Sequence, residues 1–234
     1  MHLIMSIKAL IFDFDGTILD TETPEYESWC AVYADFDCEL PLTHWVNTIG
    51  RGHDQITFDP YTYLQFSAGK IIDRDVIRAR RRDHFAERMS REPLRDGVRE
   101  YLEAAKDSGL RLAIASSSDR AWILGHLERF DLLSFFDVIR CANDVSRTKP
   151  DPELYLSAAV SLNLSPSEVV AFEDSPNGAL AAKNAGVFCV VVPNPMTQHL
   201  RFDAPDLTLE SLQSLLLPQL LNDISSRTKN KLAV

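Results

Sequence analysis

Asp13 and Asp15 stand two residues apart in FDFDGT, directly after the apolar run Ala9 to Phe12. Two carboxylates held close at the end of a buried segment repel one another and lose hydration, so they call for a cation between them. Gly16-Thr17 suits a tight turn that would hold them there. Other polar groups follow apolar runs of the same kind: Ser116 to Ser118 after LAIA, Glu173-Asp174 after VVAF, and Lys149 a loop beyond FFDVI. Carboxylates, hydroxyls and one ammonium on a common rim suit a hard, oxygen-seeking cation and a phosphoryl group. They do not suit hydride transfer, for which a glycine-rich dinucleotide turn is expected; the sequence has none. Mg²⁺ is the candidate for the missing cation.

The elements that must position these groups can be read from the pattern. Ala9 to Phe12 is continuously apolar, as in a strand of a parallel sheet covered on both faces. Residues 24–92 read mostly helical: one helix opens at Pro24 and runs through Tyr26, Trp29 and Tyr33, a second covers 73–90, and a looser stretch with Gly50, Gly52 and Pro60 lies between. After Pro93 helices and strands alternate, with helices over 98–108, 119–129, 151–162 and 176–185 and strands over 110–115, 136–139, 169–172 and 188–192. Asp151-Pro152 has the form of an N-cap followed by proline at the first helical position. This order predicts an α/β fold, a doubly wound, Rossmann-like parallel sheet with a small all-helical cap inserted after the first strand. Residues 1–20 and 93–222 would form the core, 21–92 the cap, and 223–234 a polar C-terminal tail. In such sheets ligands bind beyond the C-terminal ends of the strands, where the polar groups above fall.

The chain as a whole sets limits. Its formal net charge of −10, spread over 234 residues, argues against a nucleic-acid binder, which needs a basic face. An anionic substrate is still allowed, because a bound divalent cation inverts the local field. Cys30, Cys38, Cys141 and Cys189 form no CxxC pair and show no zinc-like spacing to histidine, so reduced thiols and a cytoplasmic protein are expected. The start, MHLIMSIKALIF, lacks the features of a secretory signal, and no apolar stretch is long enough to span a membrane.

Four motifs in order give a resemblance: DFDGT at 13–17, Ser116 ending LAIAS, Lys149 in KPDP, and EDSPNG at 173–178. The sequence resembles the haloacid dehalogenase superfamily, in its phosphatase and β-phosphoglucomutase-like branch with a helical cap, over about Lys8 to Pro195. The resemblance implies that Asp13 is the nucleophile forming an aspartyl-phosphate, and that Asp15 is the general acid and base. It implies that Thr17 orders the turn and that Ser116, Ser117 and Lys149 bind the phosphoryl oxygens. It also implies that Asp13, the backbone carbonyl of Asp15, Asp174 and Glu173 (directly or through water) ligate Mg²⁺. An Asp at position 15 sets the chain apart from the dehalogenases and phosphonoacetaldehyde hydrolases, and points to a phosphate ester whose leaving group needs a proton.

Phosphomonoesterase and phosphoglucomutase are the two activities that fit, with a non-catalytic binding protein of the same fold as a third reading. Mutases similar to this chain carry a His early in the cap, where Glu25 stands here, and an Arg three residues after a cap glycine. Counted from Gly50 that position holds His53, with Arg51 displaced from it. Both departures favour the phosphatase, and Glu25, Gly50, Arg51 and His53 become candidate substrate residues. The intact set at 13, 15, 116, 149 and 174 disfavours the binding protein. A small phosphorylated metabolite, sugar phosphate-like, is the expected substrate, since a closing cap favours small molecules. A monomer is expected.

Each motif also has a plainer meaning. Ser117 or Ser118 would serve as an ordinary N-cap, and Ser175 would cap its own helix. The basic run RARRRDHFAER at 78–88 is first of all a solvated helix face paired with acids. Trp29, Trp45 and Tyr26 are first of all packing residues.

Overall fold

The computed structural model describes residues 7–46, 49, 58–203 and 205–231, with side chains described to residue 227. Among the described residues, six parallel strands form one sheet: β1 (Ala9–Phe12), β2 (Arg111–Ala115), β3 (Val138–Arg140), β4 (Val169–Glu173), β5 (Phe188–Val191) and β6 (Leu207–Thr208), in the order β3-β2-β1-β4-β5-β6. The order reverses on either side of β1, so its C-terminal end is the topological switch point.

Alternation along the strands divides the core into two layers. Leu10, Phe12, Leu112, Ile114, Val170 and Phe172 face one way, onto α5 (Val98–Asp107), α6 (Arg120–Arg129) and α9 (Leu217–Lys231). Ala9, Ile11, Ala113, Ala115, Val169 and Ala171 face the other, onto α7 (Glu153–Ser161) and α8 (Pro176–Asn184). Both faces of β1 are therefore dry, which is why its sequence is apolar without a break.

Between β1 and α5 lie α1 (Glu22–Ala34), α2 (Leu42–Trp45), α3 (Pro60–Ala68) and α4 (Arg74–Arg91). They enclose their own apolar cluster, including Trp29, Val32, Tyr33, Leu64 and Ile77. The chain leaves the sheet layer at Leu19 and returns at Leu94, and these two residues form an antiparallel bridge.

Some expectations move. The stretch around Pro60 is a helix, not loose: Asp59 Oδ1 accepts from the Tyr61 amide at 3.0 Å and Pro60 sits in the first turn. At Asp151-Pro152 the cap is Pro152, one residue later than expected, although Asp151 Oδ1 still takes the Glu153 amide at 3.0 Å. The short strand is Val138–Arg140 rather than 136–139. Residues 223–231, expected as a polar tail, continue α9. Leu217, Leu220 and Ile224 recur at helical spacing and are all buried against the sheet.

Candidate active site

The ends of β1, β2 and β4, with the loop after β3, bring the sequence candidates together. Lys149 Nζ lies 2.5 Å from Asp13 Oδ1 and 2.6 Å from Glu173 Oε1, and all three residues are buried. The Tyr155 hydroxyl donates to the same Glu173 oxygen at 2.6 Å, and its ring stands 5.1 Å from the ammonium. Asp174 is gripped from two sides: the Thr17 hydroxyl donates to Oδ1 at 3.3 Å and Asn194 Nδ2 to Oδ2 at 2.7 Å. Ser175 caps α8 by accepting from the Gly178 amide at 3.1 Å, as expected.

Two glycines make room for these carboxylates. A Cβ on Gly16, whose φ is +81°, would stand 2.3 Å from Asp174 Oδ2. A Cβ on Gly178 would stand 2.0 Å from the Glu173 carboxyl carbon. Gly16 is further fixed by Arg95, which donates to the carbonyls of Gly16 (2.6 Å), Val192 (2.8 Å) and Pro193 (2.7 Å) and so ties the β1 turn to the β5 end.

Crowding shifts the acids. Burial pushes the Asp13 carboxyl up to about 8 even though Lys149 pulls the other way, with Glu173 and Asp15 adding to the rise. Asp174 is raised well above the usual range by burial and by Asp13 and Glu173. Burial alone would lower the Lys149 ammonium, but Asp13 and Glu173 outweigh it and hold it above its ordinary value. Three buried carboxylates against one ammonium leave an excess of negative charge. One oxygen from each of Asp13, Glu173 and Asp174 can be chosen with all three within 4.8 Å of one another. An all-oxygen, charge-rich cradle of this kind fits a hard divalent cation.

Asp15 lies apart from this cluster by its side chain. Trp122 Nε1 donates to its Oδ1 at 2.8 Å, and the Ser118 hydroxyl donates to Oδ2 at 2.5 Å, with Ser116 Oγ at 3.4 Å from Oδ2. Ser118 is therefore not a helix cap; α6 is capped by Asp119 without a side-chain bond. Ser117 is exposed between two serines that both reach Asp15.

On the cap side, Glu25 pairs with Arg81 at 2.5 Å. Burial raises the Glu25 carboxyl, and Arg81 opposes the rise. Glu22 is pushed up to about 8 by burial and then by the charges of Asp15, Glu25, Asp20 and Asp13. Gly50, Arg51 and His53 lie outside the described residues. The basic run is largely neutralised within the cap, by Arg80–Asp35, Arg81–Glu25 and Arg88–Glu27 pairs. Trp29 and Trp45 belong to the cap cluster, as their plainer reading has it.

Sequence reasoning missed Tyr155, Trp122, Arg95 and Asn194, which bond the candidate residues or the turn that carries them. Asn194 was within reach, since it is a polar residue just past the β5 end. Trp122 and Tyr155 sit on helices, where an aromatic residue looks the same whether it packs or donates.

The family described as haloacid dehalogenase-like hydrolase matches residues 10–192. YhcW of Bacillus subtilis is 48% identical over 221 residues, covering 94% of this chain and 99% of its own. Hexitol phosphatase B of Escherichia coli is 32% identical over 220 residues, covering 92% and 97% respectively. The crystal structure of a mutant of CbbY from Rhodobacter sphaeroides, in complex with xylulose-(1,5)bisphosphate, superposes with a TM-score of 0.68 at 28% identity, over 89% of this chain and 96% of that one.

Proposed function

The chain belongs to the haloacid dehalogenase-like hydrolases, and from that premise we propose a Mg²⁺-dependent phosphomonoesterase that hydrolyses a small phosphorylated sugar or polyol through an aspartyl-phosphate at Asp13. The observation that carries this reading is the different company kept by the two aspartates. Asp13 stands among a lysine and two further carboxylates, whereas Asp15 is held by an indole N–H and serine hydroxyls. Environments that separate two neighbouring carboxylates separate their roles.

In this reading an Asp13 oxygen attacks phosphorus while Lys149 and the Ser116 hydroxyl hold the phosphoryl oxygens. Asp15 gives its proton to the departing alkoxide, then takes one from the water that attacks the aspartyl-phosphate. Lys149, touching both Asp13 and Glu173, keeps the nucleophile's line of approach fixed. Asp13, Asp174, Glu173 and the Asp15 carbonyl would hold Mg²⁺, which when bound offsets the repulsion between the phosphate and the acids.

The cap side supports a neutral leaving group. Glu22 and Glu25 stand in the first turn of α1, Glu22 feels the charges of Asp15, Asp20 and Asp13, and Arg81 is already paired with Glu25. A carboxylate on the leaving alcohol would find no free cation among these groups, whereas hydroxyls can bond them. The name of one relative, a hexitol phosphatase, points the same way.

A panel of esters with Mg²⁺ and with chelator tests the proposal. Hexitol and hexose phosphates are expected to release phosphate, phosphoglycolate to be a poor substrate by about tenfold or more, consistent with one uncompensated charge contact, and chelator to stop all turnover. Preference for phosphoglycolate would overturn the assignment of the leaving group. Conversion of glucose 1-phosphate to glucose 6-phosphate without free phosphate would make the chain a mutase.

A further inference from the structure

Trp122 lies in the first turns of α6 and touches three parts of the molecule at once. Its indole N–H bonds Asp15 Oδ1 at 2.8 Å. Its ring stacks on Phe85 of the cap helix α4, with centroids 5.8 Å apart and planes at 22°. It packs edge-to-face with His126 of α6, with centroids 4.3 Å apart. Phe85 in turn lies 5.6 Å from the guanidinium of Arg81, the partner of Glu25. We propose that Trp122 is the positioning residue for the acid–base carboxylate of Asp15, and that its stack on Phe85 makes that positioning depend on the seat of the cap. The proposal rests on the reading of Asp15 given above.

An indole N–H is a donor with no acceptor capacity. Oδ1 can therefore only accept, and the transferable proton is confined to Oδ2. That oxygen faces Ser118 at 2.5 Å and Ser116 at 3.4 Å, groups that can accept as well as donate. Ser116 directly follows β2 and, in the reading above, holds a phosphoryl oxygen. The proton thus leaves Oδ2 for the ester oxygen as the bond from that oxygen to phosphorus breaks, and the oxygen keeps the bonding electrons. In the second half Oδ2 takes a proton from water, whose oxygen bonds phosphorus as the Asp13–phosphorus bond breaks. A Phe85 ring displaced with the cap would free the indole to turn and release Oδ1.

Leaving groups separate positioning from a merely structural role. An alkyl ester needs the proton from Asp15, whereas a nitrophenyl ester does not, and kcat/KM reports only the half-reaction in which the leaving group departs. The experiment compares sorbitol 6-phosphate with 4-nitrophenyl phosphate, with Mg²⁺, for wild type, Trp122→Phe, Phe85→Leu and Asp15→Asn. Trp122→Phe keeps a ring against Phe85 and removes only the donor. It is expected to lower kcat/KM for the alkyl ester by about 10²-fold, the cost of a catalytic group set about 1 Å astray, and for the aryl ester by no more than about threefold. Phe85→Leu should shift the ratio the same way by a smaller factor. The ratio does not depend on how much of a variant folds, and Phe85→Leu reads the same coupling if Trp122→Phe proves insoluble. A parallel fall for both esters, or an unchanged ratio in both variants, would overturn the proposal while a shifted ratio in Asp15→Asn left the acid–base reading standing. An unchanged ratio in Asp15→Asn would bring down the acid–base reading, and this proposal with it.

Discussion

Asp13→Asn is expected to lower kcat for phosphate release by at least about 10⁴-fold, the scale seen when a covalent nucleophile is removed. The amide has the shape of the carboxylate and can still accept from Lys149, 2.5 Å from Oδ1 in the parent. What it loses is the anion that attacks phosphorus. The variant should keep its fold. Burial already raises the Asp13 carboxyl to about 8, so the folded chain bears the anion poorly and a neutral side chain there relieves it. Steady-state phosphate release and the urea unfolding midpoint measure the two halves of this expectation. A tenfold loss or less would mean that water attacks the ester directly or that the nucleophile lies elsewhere. A collapse in the midpoint would mean that Asp13 is needed for the fold.

Lys149→Met should give the largest loss of stability, about 3–5 kcal/mol, the scale for breaking a buried ion pair from one side. The lysine is 4% exposed and sits between Asp13 and Glu173, with the Tyr155 ring beside it. Methionine fills the space but leaves two buried carboxylates facing one another. Protonation answers part of that cost, so the loss should shrink as pH falls. Asp13 is raised by burial in the parent against the pull of Lys149, and without the lysine it rises further, so the neutral form answers more of the cost at low pH and less as pH rises. Activity should fall as well, by about 10² to 10³-fold, as for loss of one donor to the transferring group. Lys149→Arg should not restore it, because a planar guanidinium cannot occupy a pocket shaped for a point charge. Urea denaturation at pH 5.5 and pH 8 checks the stability claim. A Met variant as stable as the parent at both would show that the two acids are not crowded as described.

The parts of the site that were legible in the sequence are those the sheet imposes. A parallel strand ends where its apolar run ends, and the next polar residue falls at the rim. Asp13, Ser116, Glu173 and Asp174 were each found by that rule. Lys149 was placed by its motif, because a loop separates it from β3. The tail at 223–231 was misread for a physical reason: one buried residue per turn is enough to dock a helix, and Ile224 sits among polar neighbours that hide it. β6 is two residues long and too short to show a period. Trp122 and Arg95 were invisible because their work depends on partners far away in the chain: Asp15 for Trp122, and the Gly16, Val192 and Pro193 carbonyls for Arg95. The serines at 116–118 show the limit of spacing alone. Ser116 and Ser118 bond Asp15 and Ser117 stays exposed, a distinction that only the turn geometry makes.

Borohydride trapping tests the central claim most directly. The enzyme is turned over with a hexitol phosphate and Mg²⁺, quenched rapidly in the reductant, digested and mapped by mass spectrometry. An acyl phosphate at residue 13 is reduced to homoserine, and the account predicts that product at that position, dependent on both substrate and Mg²⁺ and absent from Asp13→Asn. Homoserine at another aspartate, or an unmodified residue 13 in enzyme quenched at any point during rapid phosphate release, would contradict the account.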